Sequence, residues 1–336
     1  MRPFKGAGNA LAPLLFLCFF SFSGCANYQQ TRAILSAVPA DLPASQLIEN
    51  VPFVAQEDFF CGPSAMSMML QAQGLKPDLD ELVSMVYVPE RQGSFQIELK
   101  AAARRYDFLP YELEPKLESV LREVAAGNPV LVLQNLGLTF SPTWHYAVVI
   151  GYDLMEKEVI LHSGMEAETR MLLTTFERTW IHYSSAWALT ILPPYHVPVT
   201  ANPFAFQKAL EDLVSVGLPQ AALTGYAAAQ TRWPENTLLD LGFANLLYQQ
   251  NDFALSAEQF LRAIKLEPEH LPAWNNLAYA LSSLGCENAI DAAQCALKLA
   301  PEAASVEGTL SDVQTMLQSK KSAAHTCPRL PLCPVN

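Results

Sequence analysis

Cys61 is an isolated cysteine whose thiol could carry chemistry. It lies directly in front of an apolar stretch. It is followed by Gly62 and Pro63 and then by "SAMSMMLQAQG", which is typical of a helix with proline near its first turn and Gly74 as a stop. The unpaired N–H groups and the positive dipole end of a helix N-terminus favour a thiolate over a thiol. The position therefore predicts a nucleophilic cysteine whose pKa lies below the ordinary value of about 8.5.

A thiol that attacks an acyl group needs a nearby base, and histidine suits that task near neutral pH. Three histidines, His145, His162 and His182, lie between Cys61 and residue 195. His145 begins "HYAVVIGYD", which has the pattern of a strand and can lie opposite the helix of Cys61. Taken alone, the cysteine would more often be a small buried apolar residue and the histidine a packed strand residue. Their joint occurrence favours a catalytic pair.

The segments "QEDFFCGPSA" and "WHYAVVIGYD" together resemble the papain-like cysteine peptidases that process the double-glycine leader peptides of bacteriocins. The positions that match are Gln56, Cys61, Gly62, Pro63 and His145. The resemblance implies that Cys61 is the nucleophile, His145 the general base and Gln56 a donor to the oxyanion. It also implies an α+β papain-like fold.

One position departs from that family, which carries Asp or Asn on the next strand to orient the histidine. Here the corresponding "ILHSG" offers Ser163 instead. A hydroxyl can accept a hydrogen bond from the ring, but it does not stabilise an imidazolium as a carboxylate does. A slower enzyme, a non-catalytic peptide-binding descendant and an acyltransferase that uses the same pair therefore all stay open.

Strand geometry supports Ser163 as the third member of the site. If "HYAVVIGYD" and "KEVILHSG" form a hairpin centred near Met155, His145 lies opposite Met165. Ser163 is then a diagonal neighbour of His145 on the same face, within roughly 8 Å. His162 points to the other face, although a register slip of one residue would exchange the two.

The N-terminus resembles that of a bacterial lipoprotein. A basic start and an apolar run over residues 10–22 lead into small residues before Cys25. The pattern predicts a signal peptide over residues 1–24 and a lipid on Cys25, and Ala26 favours the outer membrane, facing the periplasm. An ordinary signal peptide or an uncleaved anchor is the alternative.

Composition narrows the partners of the chain. The 336 residues suffice for two domains, and the formal net charge of −12 with no basic run argues against nucleic acid or anionic lipid surfaces as partners. No cysteine pair has zinc-ligand spacing with histidines, and no phosphate-binding or haem motif is present, so we expect neither a metal nor a cofactor. The expected partners are a peptide or protein substrate, a protein bound by the second domain, and the membrane through the lipid.

Four helix patterns precede four strand patterns in the first domain, which predicts an α+β fold with an antiparallel sheet. After Pro193 and Pro194 the chain becomes rich in alanine and leucine with helical periodicity. The predicted organisation is a signal peptide, a tether, a papain-like cysteine peptidase domain, a repeat domain and a tail with proline and cysteine, over residues 1–24, 25–46, 47–195, 196–320 and 321–336.

The helical half repeats with a period of 34 residues. Pro234, Pro268 and Pro301 recur at spacings of 34 and 33, and small and large apolar residues alternate ahead of the last two. This pattern resembles the tetratricopeptide repeat, which implies an all-α domain of paired helices that recruits a partner or the substrate. A generic helical bundle is the alternative. We expect residues 196–320 to fold as a separable unit.

The four C-terminal cysteines allow three disulfide pairings. Cys327 and Cys333 lie in "CPRLPLC" and could close a small loop, whereas Cys286 and Cys295 fit plain buried helix positions. An oxidising envelope would permit disulfides. The sequence thus predicts a lipid-anchored envelope cysteine peptidase with repeats, against the competing class of a non-catalytic adaptor.

Overall fold

The computed structural model describes residues 28–56, 60–181, 186–319 and 326–335. The predicted signal peptide and the lipidation residue Cys25 lie outside the described residues. Within those ranges no helix has both the length and the apolarity needed to cross a bilayer.

A seven-stranded antiparallel sheet forms the centre of the N-terminal domain. Its strand order is β2-β7-β3-β4-β5-β6, and β1 pairs with the last residues of β4, beyond Val130 at the start of β3. The strands are β1 Ser45–Leu47, β2 Leu109–Glu112, β3 Val130–Asn135, β4 Trp144–Asp153, β5 Glu158–Ser163, β6 Glu166–Leu172 and β7 Trp187–Leu192. The four predicted strands are all present, as β3, β4, β5 and β7, and the α+β prediction is confirmed.

Helices cover this sheet. Their bounds are α1 Gln29–Ser36, α2 Cys61–Ala72, α3 Leu79–Val86, α4 Gln96–Arg105, α5 Leu117–Ala125 and α6 Leu173–Trp180, with a 3₁₀ turn at Pro89–Arg91. Helix α2 packs on β3 and β4 and against α3 and α4, while α1 packs on α5 and α6. Met66, Met68 and Met69 of α2 are fully buried. These contacts fix the start of α2, and therefore Cys61, against the sheet.

The β4–β5 hairpin has the predicted register. Val148 pairs with His162 and Val149 with Leu161, which centres the hairpin on Met155. A bulge at the following residues shifts the pairing, but it lies on the side of the hairpin away from His145. The bulge therefore leaves the predicted relation between His145 and the end of β5 unchanged.

The predicted tether over residues 25–46 is wrong for the part that the structure describes. The carboxylate of Glu177 accepts hydrogen bonds from the N–H groups of Gln30 at 2.9 Å and Thr31 at 2.6 Å, which caps α1. Further along, β1 pairs with β4. The cap comes from a residue 146 positions away, so the local sequence carries no signal for it.

Eight further helices follow in the part of the chain that the structure describes. They are α7 Pro203–Ser215, α8 Pro219–Arg232, α9 Thr237–Gln249, α10 Phe253–Leu266, α11 Leu271–Leu284, α12 Ala289–Leu299, α13 Ala304–Glu307 and α14 Thr309–Ser319. Helices α7 to α12 pack as consecutive pairs, and α14 packs on α11 and α12. Repeat positions such as Ala244, Phe260, Trp274 and Leu277 are buried where the helices meet. The predicted all-α tetratricopeptide-repeat fold is confirmed.

The apolar core does not divide at residue 196, where the domain boundary was predicted, and the separate folding of residues 196–320 stays a prediction. One continuous apolar cluster extends from Ile34 in α1 to Leu247 in α9, and a second begins at Ala244. Helix α7 covers the edge strand β2, with ring centroids of Tyr111 and Phe206 6.4 Å apart. The first repeat, formed by helices α7 and α8, therefore completes the core of the N-terminal domain.

The cysteines of the tail pair with the repeats rather than with each other. Disulfides join Cys286 to Cys327 and Cys295 to Cys333. The expectation of a small Cys327–Cys333 loop, with Cys286 and Cys295 as plain buried residues, is therefore wrong. The described part of the tail lies along the last repeat, where the Asn288 side-chain amide donates to the carbonyl of Pro328 at 2.7 Å.

Candidate active site

Cys61 is the first residue of α2, as predicted. Pro63 has no N–H, so the free amides nearest to the helix start belong to Cys61 and Gly62. Both of these N–H groups, and that of Tyr146 on β4, interact with the Cys61 sulfur and lower the pKa of its thiol. The contact with Tyr146 brings the sulfur to the strand residue that follows His145.

The pKa of Cys61 nevertheless lies above its ordinary value, because burial is the largest effect and favours the neutral thiol. The predicted lowering of this pKa is therefore wrong for the free protein. The sequence argument counted the helix dipole and omitted the desolvation that the surrounding sheet imposes.

Gly62 allows a close approach that fixes the wall beside Cys61. A Cβ at this position would lie 2.2 Å from Oγ of Ser94, so only glycine fits without movement. The Tyr146 hydroxyl donates to the Ser94 carbonyl at 3.1 Å. Burial raises the pKa of Tyr146, which keeps this donor protonated. The loop around Ser94 is thus held over the first turn of α2.

His145 and Ser163 lie together, in the arrangement that the hairpin predicted. His145 Nε2 is 2.9 Å from Ser163 Oγ. If Nε2 carries the proton and donates to this hydroxyl, Nδ1 is left as the basic nitrogen. Burial lowers the pKa of His145, so the neutral ring persists to lower pH than in an exposed histidine.

His162 lies on the opposite face of β5 and has a structural role. Its Nε2 donates to the carbonyl of Val51 at 2.9 Å, and its Nδ1 accepts the N–H of Glu168 at 3.2 Å. Both ring nitrogens of this buried residue are therefore used. His182, the third histidine noted in the sequence, lies outside the described residues.

Gln56 is buried and held by a turn glycine. Its side-chain Oε1 accepts a hydrogen bond from the backbone N–H of Gly164 at 2.8 Å. The backbone N–H of Gln56 donates to the Gly164 carbonyl at 2.9 Å. Its Nε2 donates one proton to the carbonyl of Tyr146 at 3.1 Å. An amide nitrogen has two protons, so one remains for an oxyanion.

These residues open into one groove of about 850 Å³. Gln56, Cys61 and His145 all line it, whereas Ser163 lies behind His145. Five aromatic side chains line the groove, together with polar residues that include Arg91, Gln92 and Gln96; the aromatic ones are Phe95, Trp144, Tyr146, Trp180 and Trp187. Within the described residues no group of three or more His, Cys, Asp or Glu side chains has a metal-binding arrangement.

Sequence reasoning missed three residues that hold the site together. Tyr146 contacts the Cys61 sulfur through its N–H, Ser94 packs on Gly62, and Gly164 orients Gln56. Only Gly164 had a local signal, because a glycine between two strand patterns indicates a turn. The other two are positioned by contacts between distant segments.

Solved structures similar to parts of the chain fall into two groups. A C39-like peptidase from Bacillus anthracis is 19% identical over 45% of this chain and 98% of its own, with a TM-score of 0.38. The peptidase domain of Streptococcus ComA, a bifunctional ABC transporter in quorum sensing, is 17% identical over 43% and 98%, with a TM-score of 0.35. The second TPR domain of human RPAP3, in complex with an HSP70 peptide, is 18% identical over 32% and 92%, with a TM-score of 0.31.

Among curated protein sequences none matches the chain. A family model does match, and it covers the helix of Cys61, the β4–β5 hairpin and strands β2 to β6. The resemblance to the papain-like leader-processing peptidases is therefore confirmed for residues 48–187, which match the model of the Peptidase_C39 like family.

Proposed function

We propose that this protein is a cysteine peptidase that cleaves peptide bonds through Cys61 and His145. The observation that carries the proposal is the 2.9 Å contact between His145 Nε2 and Ser163 Oγ, behind a groove that Cys61 and Gln56 also line. This contact orients the imidazole and leaves Nδ1 as a base. Gln56 and Cys61 come from the segment that opens α2, His145 from β4 and Ser163 from the end of β5, so distant parts of the chain converge on the site.

In the first half of the reaction, His145 Nδ1 takes the proton of the Cys61 thiol as the sulfur attacks the scissile carbonyl carbon. The oxyanion accepts hydrogen bonds from the second Nε2 proton of Gln56 and from the N–H of Cys61. The C–N bond then breaks, the imidazolium gives its proton to the leaving amine, and a thioester forms on Cys61.

In the second half, His145 takes a proton from water, and the hydroxide attacks the thioester carbonyl. The C–S bond breaks, the acid product leaves, and the Cys61 sulfur recovers its proton from the imidazolium. The neutral pair described above is both the start and the end of this cycle.

We further propose that Cys25 carries a lipid that holds the protein to the bacterial envelope, on the outer membrane facing the periplasm. The two disulfides support an oxidising compartment. Fractionation of a Cys25→Ser variant tests the anchor: loss from the membrane fraction is expected. A variant that is processed identically and stays bound would contradict it.

The repeats are proposed to recruit a protein partner or the substrate. Stacked helix pairs present an extended surface that suits this role. Because the first repeat shares the apolar core of the peptidase-like domain, a protein bound on the repeats would be held at a fixed position relative to the groove.

A non-catalytic peptide-binding adaptor is the second candidate. Two observations favour it: a hydroxyl, not a carboxylate, contacts His145, and burial raises the pKa of Cys61. The intact set of Gln56, Cys61 and His145 in one groove favours the peptidase.

A thiol-reactive peptide probe separates the two candidates. We expect the probe to label Cys61 and labelling to fall at least about a hundredfold in His145→Ala, since a general base contributes that much or more. His196→Ala, which removes an exposed histidine outside the groove, should label like wild type. Labelling of Cys61 that does not depend on His145 would overturn the peptidase and support the adaptor. An unbiased cleavage-site profile of envelope proteins, wild type against Cys61→Ala, would then identify the substrate.

A further inference from the structure

An uncharged, exposed loop stands beside the groove. Residues 136–143 connect β3 to β4 and have the sequence "LGLTFSPT", which we call the apolar loop. Phe140 is 86% exposed and Leu138 60% exposed, and Leu136 is about half exposed. Large apolar side chains exposed together in this way mark a surface that contacts another apolar phase or molecule.

Other exposed apolar residues lie at the same end of the sheet. Trp144, which is half exposed, begins β4, and Phe95 lines the groove together with it. Met165 is exposed in the turn after Ser163, whose hydroxyl contacts His145. We call this end of the sheet, where β3 ends and β4 begins, the groove end.

The described chain also begins at the groove end. Helix α5 leads into β3, and β3 runs toward the groove end. Helix α5 therefore runs in the opposite direction, and its first residue, Leu117, lies near the groove end. The N–H of Leu117 donates to Gln30 Oε1 at 2.5 Å. Further along the same helix, Arg122 pairs with Asp41. The chain therefore enters at the groove end and runs away from it, toward β1.

Little chain separates this entry from the proposed lipid. Three residue steps join Cys25 to Tyr28, which spans at most about 10 Å. Because Glu177 fixes α1 from its first turn, the domain has no long tether on which to swing away. A lipid on Cys25 would hold the groove end close to the bilayer.

We propose that the apolar loop inserts into the interfacial region of a phospholipid bilayer, so that the Cys61 groove opens at the membrane surface. Phe, Leu and Trp are the side chains that enter this region of a bilayer. The exposed Glu166 and Glu168 near the same end oppose the exposed Arg91, which also lines the groove, so no basic patch attracts anionic headgroups and the contact is apolar. The orientation of the groove at the membrane surface rests on the proposed lipid on Cys25. The contact of the apolar loop with lipid does not depend on that anchor.

Fluorescence quenching by brominated lipid tests the contact. The full chain, purified from membranes, is reconstituted into phosphatidylcholine vesicles whose acyl chains carry bromine. We expect Trp144 fluorescence to be quenched relative to vesicles without bromine. Because the chain has five tryptophans, the Trp144 signal is obtained as the difference from a Trp144→Phe variant. Phe140→Ser should reduce this quenching roughly by half or more, because the loop loses its most exposed apolar side chain.

Phe204→Ser is the matched control. Phe204 is 72% exposed at the start of α7, in the repeat half, and its loss should leave the quenching unchanged. Absence of Trp144 quenching, or quenching that Phe140→Ser does not alter, overturns the proposal. If Phe140→Ser instead raises KM for a peptide while Trp144 stays unquenched, the loop is a substrate subsite and the proposal is wrong.

The lipid anchor is tested separately in the same vesicles. Flotation of Cys25→Ser should show weaker binding, and Phe140→Ser in that background should remove most of what remains. Equal flotation with and without Cys25 contradicts the anchor but not the loop contact, which the quenching alone decides.

Discussion

His145 is oriented by a hydroxyl, and this single side chain sets the electrostatics of the pair. A carboxylate at the same place would add a negative charge that stabilises an imidazolium. Ser163 supplies a hydrogen bond without that charge. With the pKa of Cys61 raised and that of His145 lowered by burial, the free protein holds a thiol and a neutral imidazole at neutral pH.

The pH dependence of Cys61 alkylation follows from these directions. Because the pKa of Cys61 is raised, the thiolate forms only at higher pH, and the rate of iodoacetamide alkylation should have its midpoint above that of an ordinary cysteine. The four C-terminal cysteines are in disulfides and do not compete. Cys61→Ala gives the background, and a midpoint below the ordinary value would restore the thiolate prediction made from the helix start.

Substitutions of Ser163 test whether the absence of a carboxylate charge beside His145 sets the pKa values of the pair. Ser163→Asp should raise the pKa of His145, stabilise the imidazolium–thiolate pair and lower the alkylation midpoint by about one unit or more. Ser163→Ala removes one neutral hydrogen bond, worth about 1 kcal/mol, and should lower kcat/KM by roughly fivefold. Met155→Asp adds the same charge at the exposed tip of the same hairpin, far from His145, and is the control. Equal effects of the two aspartates would show that the charge does not act through His145.

At the scale of elements, a turn holds the proposed oxyanion donor. Gly164 has φ +61° in the β5–β6 turn, and both its N–H and its carbonyl bond Gln56. Strand pairing thus places His145, Ser163 and Gln56 relative to each other. The turn is the link between the hairpin and the segment that leads to Cys61.

Substitution of two glycines with positive φ distinguishes an effect on stability from an effect on catalysis. Gly164→Ala should lower the free energy of unfolding by about 1 kcal/mol through backbone strain, and relief of that strain in the turn should displace Gln56 and lower kcat up to about tenfold. Gly127→Ala, at φ +84° after α5 and equally open, should cost similar stability and leave kcat unchanged. Urea unfolding and steady-state kinetics measure both, and equal kcat losses would contradict the role of the turn.

Local patterns predicted the elements that carry the site. Gly-Pro after Cys61 indicated a helix start. The alternation in β4 and β5, with a hairpin centred near Met155, predicted Ser163 beside His145 and His162 on the other face, although a register slip of one residue would have exchanged them. Elements with weak local patterns were missed. Strand β6 is a mostly exposed edge with a mixed sequence, and α1 depends on a cap from Glu177.

Other features depend on contacts that no local pattern encodes. The raised pKa of Cys61 follows from burial by distant segments, and the partners of Cys286 and Cys295 follow from where the tail lies. Sequence spacing left the disulfide pairing open for the same reason.

At the scale of the whole molecule, the apolar core crosses the predicted domain boundary. Phe206 of α7 is fully buried against Tyr111 of β2, and Arg104 Nη2 lies 2.8 Å from the carboxylate of Asp212. The stability of the peptidase-like domain therefore depends on residues of the first repeat.

Truncation of two buried phenylalanines tests this dependence. Phe206→Ala should cost about 3–5 kcal/mol and reduce amide hydrogen-exchange protection in β3 and β4. Phe260→Ala, equally buried but in the second apolar cluster, should cost a similar amount and leave protection in those strands unchanged. Unchanged protection in Phe206→Ala would mean that the first repeat is independent after all.

The two disulfides change what a single proteolytic cut can do. Cys286 and Cys295 lie on one side of the segment between residues 295 and 327, and their partners Cys327 and Cys333 lie on the other. One hydrolysed bond anywhere in that segment leaves the two pieces joined by two covalent bridges. A nicked molecule would keep its last helices in place, gain only the mass of one water under non-reducing conditions and separate into two pieces after reduction. The C-terminal end thus withstands a single nick between residues 295 and 327.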